Sequence, residues 1–498
     1  MNLKREKRLF RLLGGVIFVL GFFMLGLLLE KVHFVDIGEQ NVFAGKISGI
    51  GSPASEWMEI YLRDDKVGYS ENHISPVGND YLIHEEIHLQ LGLMGRPSVL
   101  HAVTRCVVGH QFSLKKFESK MTSGAVTFQV SGRVEGDFIH LEIGEGEFRR
   151  NERVQLSGRP MIGAAMTQFF RYRRIKVGQS FAFSVFDPFT MAQNDVIMKV
   201  KAREILTINR LEYNAFRLEA RVWGRHLTFW LDKDGSVLRE EGFMGFTMVR
   251  SSADRAPRAI KEGGGRDFYK LAAVRVKKKL QSPDKLTFLK IKVRGLRETD
   301  FDMDNLNDGR QRFQNGMIEI IKEKMPIEGR PSLRYTEFSG EMMLLLRPEI
   351  GIESDDDAIV EKAHEIAGDI KDPVIVSRRL LDWVFQNVEK RPVITVPSAV
   401  EVLRTRVGDC NEHAVLLTAL LRAAGIPAKL CIGLVYTRGM FFYHAWCEIY
   451  VGEWISADPT LNQMPADVSH VKLAEGGLDS QVKVIGLMGK IELEILAY

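Results

Sequence analysis

The chain has 498 residues, enough for roughly two to four domains with cores of their own. Its 45% apolar and 27% charged residues exclude a disordered or fibrous chain. A net charge of +4, with several positives crowded into the first eleven residues, gives no support to nucleic-acid binding.

The N-terminus carries the first signal. Lys4, Arg5, Lys7, Arg8 and Arg11 precede LLGGVIFVLGFFMLGLLL, an uncharged run from Leu12 to Leu29. That run lies at the short end of the ~20 residues a membrane-spanning helix needs. Positive side chains before it and Glu30 after it orient the N-terminus to the cytoplasm. The following LLLEKVHFV is too bulky for a small-x-small cleavage site, which argues against a cleaved signal peptide. Residues 1–30 therefore read as a cytoplasmic N-terminus and a single-pass anchor in the inner (cytoplasmic) membrane. The bulk of the chain is expected outside the cytoplasm, in the periplasm of a bacterium.

Beyond a short tether, residues 53–250 show mostly period-two patterning, as in EWMEIYLRD, VTFQVSGRV and LTFWLDKDGSVLREEGF, with Asp-Gly and Gly-Asn turns between. This predicts an antiparallel β domain, a sandwich or open barrel. Asp232-Lys233-Asp234-Gly235 lacks the third acidic position and distal Glu of a calcium loop, and reads as a hairpin turn. The linker-like SADRAPRAIKEGGGR separates a second, smaller β-rich domain at 267–350. Lys277-Lys278-Lys279 there reads as a solvated strand end.

From residue 355 to 470 the pattern becomes α+β. DDDAIVEKAHEIAGDI places acids in a first helical turn, and PVIVSRRLLDWVFQNVEK puts Val376, Leu380 and Trp383 or Val384 on one face. SAVEVLRTRVGD leads to Cys410, and NEHAVLLTALLRAAG follows as a helix ending at Gly425. Next come strand-like AKLCIGLVY and FYHAWCEIYV, joined by TRGM, and a shorter EWISAD.

The four cysteines form no CxxC pair, so neither a disulfide scaffold nor a structural zinc site is indicated, and no metal or organic cofactor is expected. Cys431 and Cys447 lie inside apolar runs and read as core thiols; the TRGM hairpin places them nearly opposite, but directly paired strand cysteines make poor disulfides. Cys410 differs. It opens a helix, where unsatisfied N–H groups and the positive dipole end favour a thiolate, and Gly408 permits a close approach just before it. A thiolate nucleophile needs a base, and the base an orienting acceptor. His413, His444 and His470 are the candidates in this domain. Period two puts His444 and Trp446 on one strand face, and Asp458 closes the next strand, so an Asp can lie beside a His. His413 and Glu412, in the first turn of the Cys helix, read as structural.

Gly408-Asp409-Cys410, His444-Ala445-Trp446 with Glu448, Trp454 and Asp458-Pro459-Thr460 together resemble the transglutaminase-like superfamily, whose core is papain-like. GDCNEHA and LLRAAGIPAKL resemble its bacterial branch closely, with Lys429 where that branch usually has Arg. The resemblance covers about residues 355–465. It implies Cys410 as nucleophile, His444 as base and Asp458 as orienter, in acyl transfer or hydrolysis at amide or peptide bonds through a thioester. It implies an upstream side chain as second oxyanion donor, for which Gln386 and Trp383 are weak candidates. A protein or peptide substrate follows, with envelope partners reached through the β domains. The alternative is a catalytically silent protein of the same fold, acting as a binding or assembly module.

Overall fold

The structure, a computed structural model, describes residues 53–498 except 94, 125, 147–148, 172, 223–224, 243–244, 261–266, 296–305, 327–339, 393–395, 478–479, 482–483 and 485–486. The anchor expected at 12–29 lies outside these residues. Among the described residues no helix is long and apolar enough to cross a membrane. The chain divides into two compact units, meeting in sequence at Asp267 and Phe268.

The first unit is one sheet of fifteen strands, from β1 (Ala54–Leu62) to β15 (Phe246–Ser251). These two strands pair antiparallel at its centre, and the meander runs outward from them on both sides. Alternation decides which face is covered. In β3 (Asp80–Leu93), Tyr81, Ile83, Ile87, Leu89 and Leu91 are buried, while His84, Glu86 and His88 stand on the other face, half-buried. Among the described residues, the edge strands β8 (Arg150–Gln155) and β9 (Met161–Ile162) do not pair to close the sheet. Helix α1 (Gly163–Phe170) follows β9 and buries Phe169 and Phe170 among the rings of Phe181 and Phe183. The Asp232–Gly235 stretch is the expected turn: Asp232 Oδ1 accepts the Asp234 and Ser236 amides, and Gly235 has φ 78°.

The second unit joins segment 267–350, expected as a domain of its own, to everything after it. Its strands β17 (Phe288–Arg294), β18 (Gln311–Gln314) and β19 (Met317–Ile321) form a four-stranded sheet with the C-terminal strand β26 (Glu492–Ala497), which pairs with β17. The physical reason is an edge needing a partner: β26 offers buried Leu493 and Ile495 in alternation with exposed glutamates. Likewise β16 (Val274–Arg275) adds to β23 (Met440–Tyr450).

The remainder packs around one helix, α7 (Cys410–Ala423), nearly all of which is buried. Helices α4 (Asp357–Ala367), α5 (Pro373–Asn387) and α6 (Ala399–Thr405) surround it. Each starts on a side-chain cap, from Asp356, Asp372 and Ser398 respectively. Strands β22 (Ala428–Thr437) and β23 form a hairpin against α7, turning through Arg438 and Gly439, both at positive φ. Leu416, Leu417, Leu420 and Leu421 are wholly buried, each worth about 2 kcal/mol of burial.

Candidate active site

The site begins at the start of α7. Gly408 sits in a two-residue parallel pairing, β20 (Glu389–Lys390) with β21 (Val407–Gly408). A Cβ there would lie 2.2 Å from the Glu412 Cβ, so only glycine lets the strand run directly into the helix. Asp409 caps α7: its Oδ1 accepts the Asn411 amide at 3.0 Å, and Glu412 Oε2 accepts the Asp409 amide at 2.9 Å. This reciprocal cap fixes Cys410 as the first helical residue, with a backbone N–H that has no intrahelical acceptor.

Cys410 is only 2% exposed. Its thiol receives the backbone N–H of Ala445, the residue after His444. Burial, then the neighbouring Asp409 charge, push the thiol well above its ordinary pKa, and the Ala445 amide only partly offsets them. The helix start favours a thiolate, and burial works against it.

His444 lies on β23 and Asp458 directly after β24 (Trp454–Ala457), which pairs antiparallel with β23. The expected pairing is present: His444 Nε2 and Asp458 Oδ2 are 2.7 Å apart, both side chains wholly buried. Asp458 Oδ1 accepts the Thr460 and Leu461 amides at 2.7 and 3.0 Å, which fixes the carboxylate plane. His444 stacks on Trp446, centroids 6.3 Å apart. Gly433, opposite His444 across the hairpin, makes room: a Cβ there would stand 1.9 Å from the Val471 carbonyl oxygen and 2.9 Å from the Trp446 ring.

The sequence offers His470 only as one of three candidate bases, and His444 is preferred to it. Its Nε2 reaches the same Asp458 Oδ2 at 2.9 Å, and its Nδ1 lies 3.1 Å from the Asp467 carbonyl and 3.4 Å from the Asp467 carboxylate. Burial works against a charged imidazole, but the hydrogen bonds it donates to Asp458 and Asp467 outweigh it and lift His470 to about 9, so it is a cation at neutral pH. Asp458 shows the reverse balance. Burial raises it, yet His444 and His470 hold it well below the usual carboxylate range.

Arg310 was missed. It is buried, and its guanidinium donates to Ser456 Oγ and the Ala466 carbonyl, both at 2.9 Å, to the Asp467 carbonyl and to Glu323. One planar fork thus ties the strand before Asp458 to the loop carrying His470. No sequence signal marks it, because every partner except Glu323 lies about 150 residues away.

The remaining candidates are structural. His413 is buried between the Asp409 and Val388 carbonyls, and burial lowers it to about 4, a neutral packing residue. Trp383 lies under the guanidinium of Arg406, and Gln386 is exposed on α5. Cys431 pairs with Trp446 and Cys447 with Leu430, so the two thiols point to opposite faces. Both are free, and Cys447 contacts Ala414 and Thr418 of α7. His444, Asp458 and His470 bring three ligand atoms within 4.8 Å, but both imidazole nitrogens already engage the carboxylate. Asp308, Glu448 and Glu475 also converge, and the Lys472 ammonium fills their centre.

Residues 360–459 match the core of the transglutaminase-like superfamily. No curated protein matches the chain. Among solved structures, a candidate cysteine protease from Cytophaga hutchinsonii is similar at 18% identity and TM-score 0.29, covering 42% of this chain and 83% of that one. A β-barrel-like protein of a domain of unknown function from Brucella abortus aligns at 9% identity and TM-score 0.31, over 40% of this chain and 95% of its own. A candidate protease from Parabacteroides distasonis aligns at 11% and TM-score 0.20, over 69% and 68%. At these scores nothing about function follows from the three structures. The C-terminal part of the chain contains a transglutaminase-like domain, and the match spans Cys410, His444 and Asp458 but not His470 or Arg310.

Proposed function

We propose that the chain is a thiol enzyme that hydrolyses amide or peptide bonds or transfers their acyl group to an amine, with Cys410 as nucleophile, His444 as base and Asp458 as orienter. The observation that carries this reading is the buried 2.7 Å His444–Asp458 hydrogen bond next to the amide that holds the Cys410 thiol. Because Nε2 of His444 is engaged by Asp458, the proton from Cys410 goes to Nδ1. As that proton leaves, Sγ attacks the carbonyl carbon, and the developing oxyanion meets the Cys410 N–H. His444 then protonates the departing amine, the C–N bond breaks, and a thioester remains. Water or a second amine, deprotonated by His444, releases the acyl group and restores the thiol.

A second reading has an observation in its favour: the deep burial of Cys410 and its raised pKa suit a silent core kept for binding or assembly. An activated ester separates the two. With p-nitrophenyl acetate, the enzyme reading predicts an acetyl group on Cys410, found by peptide mapping and absent in Cys410→Ser. Faster p-nitrophenol release with an added primary amine marks a transferase; indifference to amine marks a hydrolase. No acetyl on Cys410 leaves the silent module.

The membrane assignment rests on Leu12–Leu29 and the positive side chains before it. The anchor holds the bulk of the chain outside the cytoplasm. A C-terminal reporter that functions only in the cytoplasm is expected to stay inactive, and activity there would overturn the orientation.

A further inference from the structure

The face of the fifteen-stranded sheet that carries His84, Glu86 and His88 holds a second constellation, in the other unit from the thiol site. His101 lies on β4 (Arg96–Val108), directly opposite His88. Both imidazoles bring Nε2 to 2.7 Å from one atom, Glu86 Oε1. Their rings are stacked, centroids 4.1 Å apart and planes 20° from parallel. The stack continues across the strands: His88 lies on Tyr69 at 4.6 Å, and Tyr69 on Trp57 at 6.0 Å. Four rings on four neighbouring strands thus hold both imidazoles in place.

We propose that Glu86, His88 and His101 form a binding site for a divalent transition-metal ion of the zinc or copper class. Three features favour it over an ordinary histidine–carboxylate pair. The two nitrogens converge on a single point, and all three ligand atoms lie within 4.8 Å of one another. Bonds of about 2.0–2.1 Å to each nitrogen bring such a set together with sub-ångström to ångström movement, the carboxylate swinging from between the rings to the ion. The donor set is two imidazoles and one carboxylate, which suits zinc or copper and disfavours calcium or magnesium. The stack holds both imidazoles side by side before the ion arrives, and binding tilts their near-parallel planes toward it. All three ligands are partly exposed, which leaves an open side for water or for a donor from a partner molecule. Glu71, paired with Glu86 across β2 (Asp65–Val77) and β3, adds a carboxylate on the neighbouring strand. His84 stays outside the set: its Nδ1 accepts Arg105 Nε at 3.3 Å, and a ligating imidazole would need that nitrogen protonated.

The test uses the full chain, stripped with chelator and titrated with zinc by calorimetry. The wild type is expected to take up one equivalent in the micromolar range that His88→Gln and His101→Gln each lose or weaken by at least about tenfold. Both variants lie on a sheet surface and should keep the wild-type circular dichroism. Loaded with copper, the wild type should show two-nitrogen hyperfine structure in its electron paramagnetic resonance spectrum, and each variant one nitrogen or none. A wild type that binds no zinc, or variants that bind as tightly and in the same ratio, would overturn the proposal. Neither result depends on Cys410.

Discussion

Asp458→Ala is expected to destabilise the C-terminal unit by about 3–5 kcal/mol, the range for removing one partner of a buried ion pair. Asp458 accepts four hydrogen bonds, from His444, His470 and the Thr460 and Leu461 amides. Its loss leaves His470 facing only Asp467, and removes the turn that fixes the end of β24. The cost has a predictable pH dependence. Asp458 has a depressed folded pKa, so its contribution is present above the unfolded carboxylate value and is lost as pH falls. His470 is raised to about 9, so its contribution is complete below its unfolded value of 6.5 and fades as pH rises toward 9. The gap between wild type and variant should therefore be widest from about pH 4 to about 6.5, and narrow above that. Asp458→Asn, which keeps the size and the Oδ1 acceptor, should recover part of the stability but not the reactivity of Cys410. Urea unfolding at several pH values measures this; a gap that is constant across pH 5–9 would mean that the two histidines do not share the carboxylate.

Arg310→Ala is the second large effect. The side chain is buried, and removing it takes the counter-charge from the largely buried Glu323 and the guanidinium donor from the Ala466 and Asp467 carbonyls. A loss on the order of 3–5 kcal/mol is expected. Arg310→Lys should not restore it, because an ammonium cannot span Ser456, Ala466, Asp467 and Glu323 with one planar fork. The loosened loop carries His470, so the variant should also slow acylation of Cys410 at temperatures where it is still folded. An Arg310→Ala protein of wild-type stability would show that segment 267–350 does not buttress the site.

What was legible in the sequence was local. The Gly-Asp pair before Cys410 and the apolar run after it are local, so the start of the Cys helix could be placed, although the Asp409–Glu412 cap that fixes it was not read. Period two in YHAWCEIY and EWISAD put His444 and Asp458 on neighbouring strands, where the structure has them bonded. What escaped was built by contacts between distant segments. His470 follows an irregular loop whose shape depends on Arg310, and β26 finds its partner about two hundred residues upstream in β17. Gly433 is needed only because the Val471 backbone and the Trp446 ring close over it. Cys431 and Cys447 lie nearly opposite, as read, but one position apart in register, which in a strand puts them on opposite faces, and both are free buried thiols. The burial of Cys410, which opposes the helix-start preference for a thiolate, comes from packing of distant segments and was not legible either.

The central claim is that Cys410 needs His444 to become a nucleophile. The most direct measurement is the rate of Cys410 acetylation by p-nitrophenyl acetate near neutral pH, in the wild type and in His444→Ala. With the thiol held protonated by burial, loss of the base should slow acylation by roughly a hundredfold or more, with recovery only as the pH is raised well into the alkaline range. Equal rates for the two proteins at neutral pH would contradict the account.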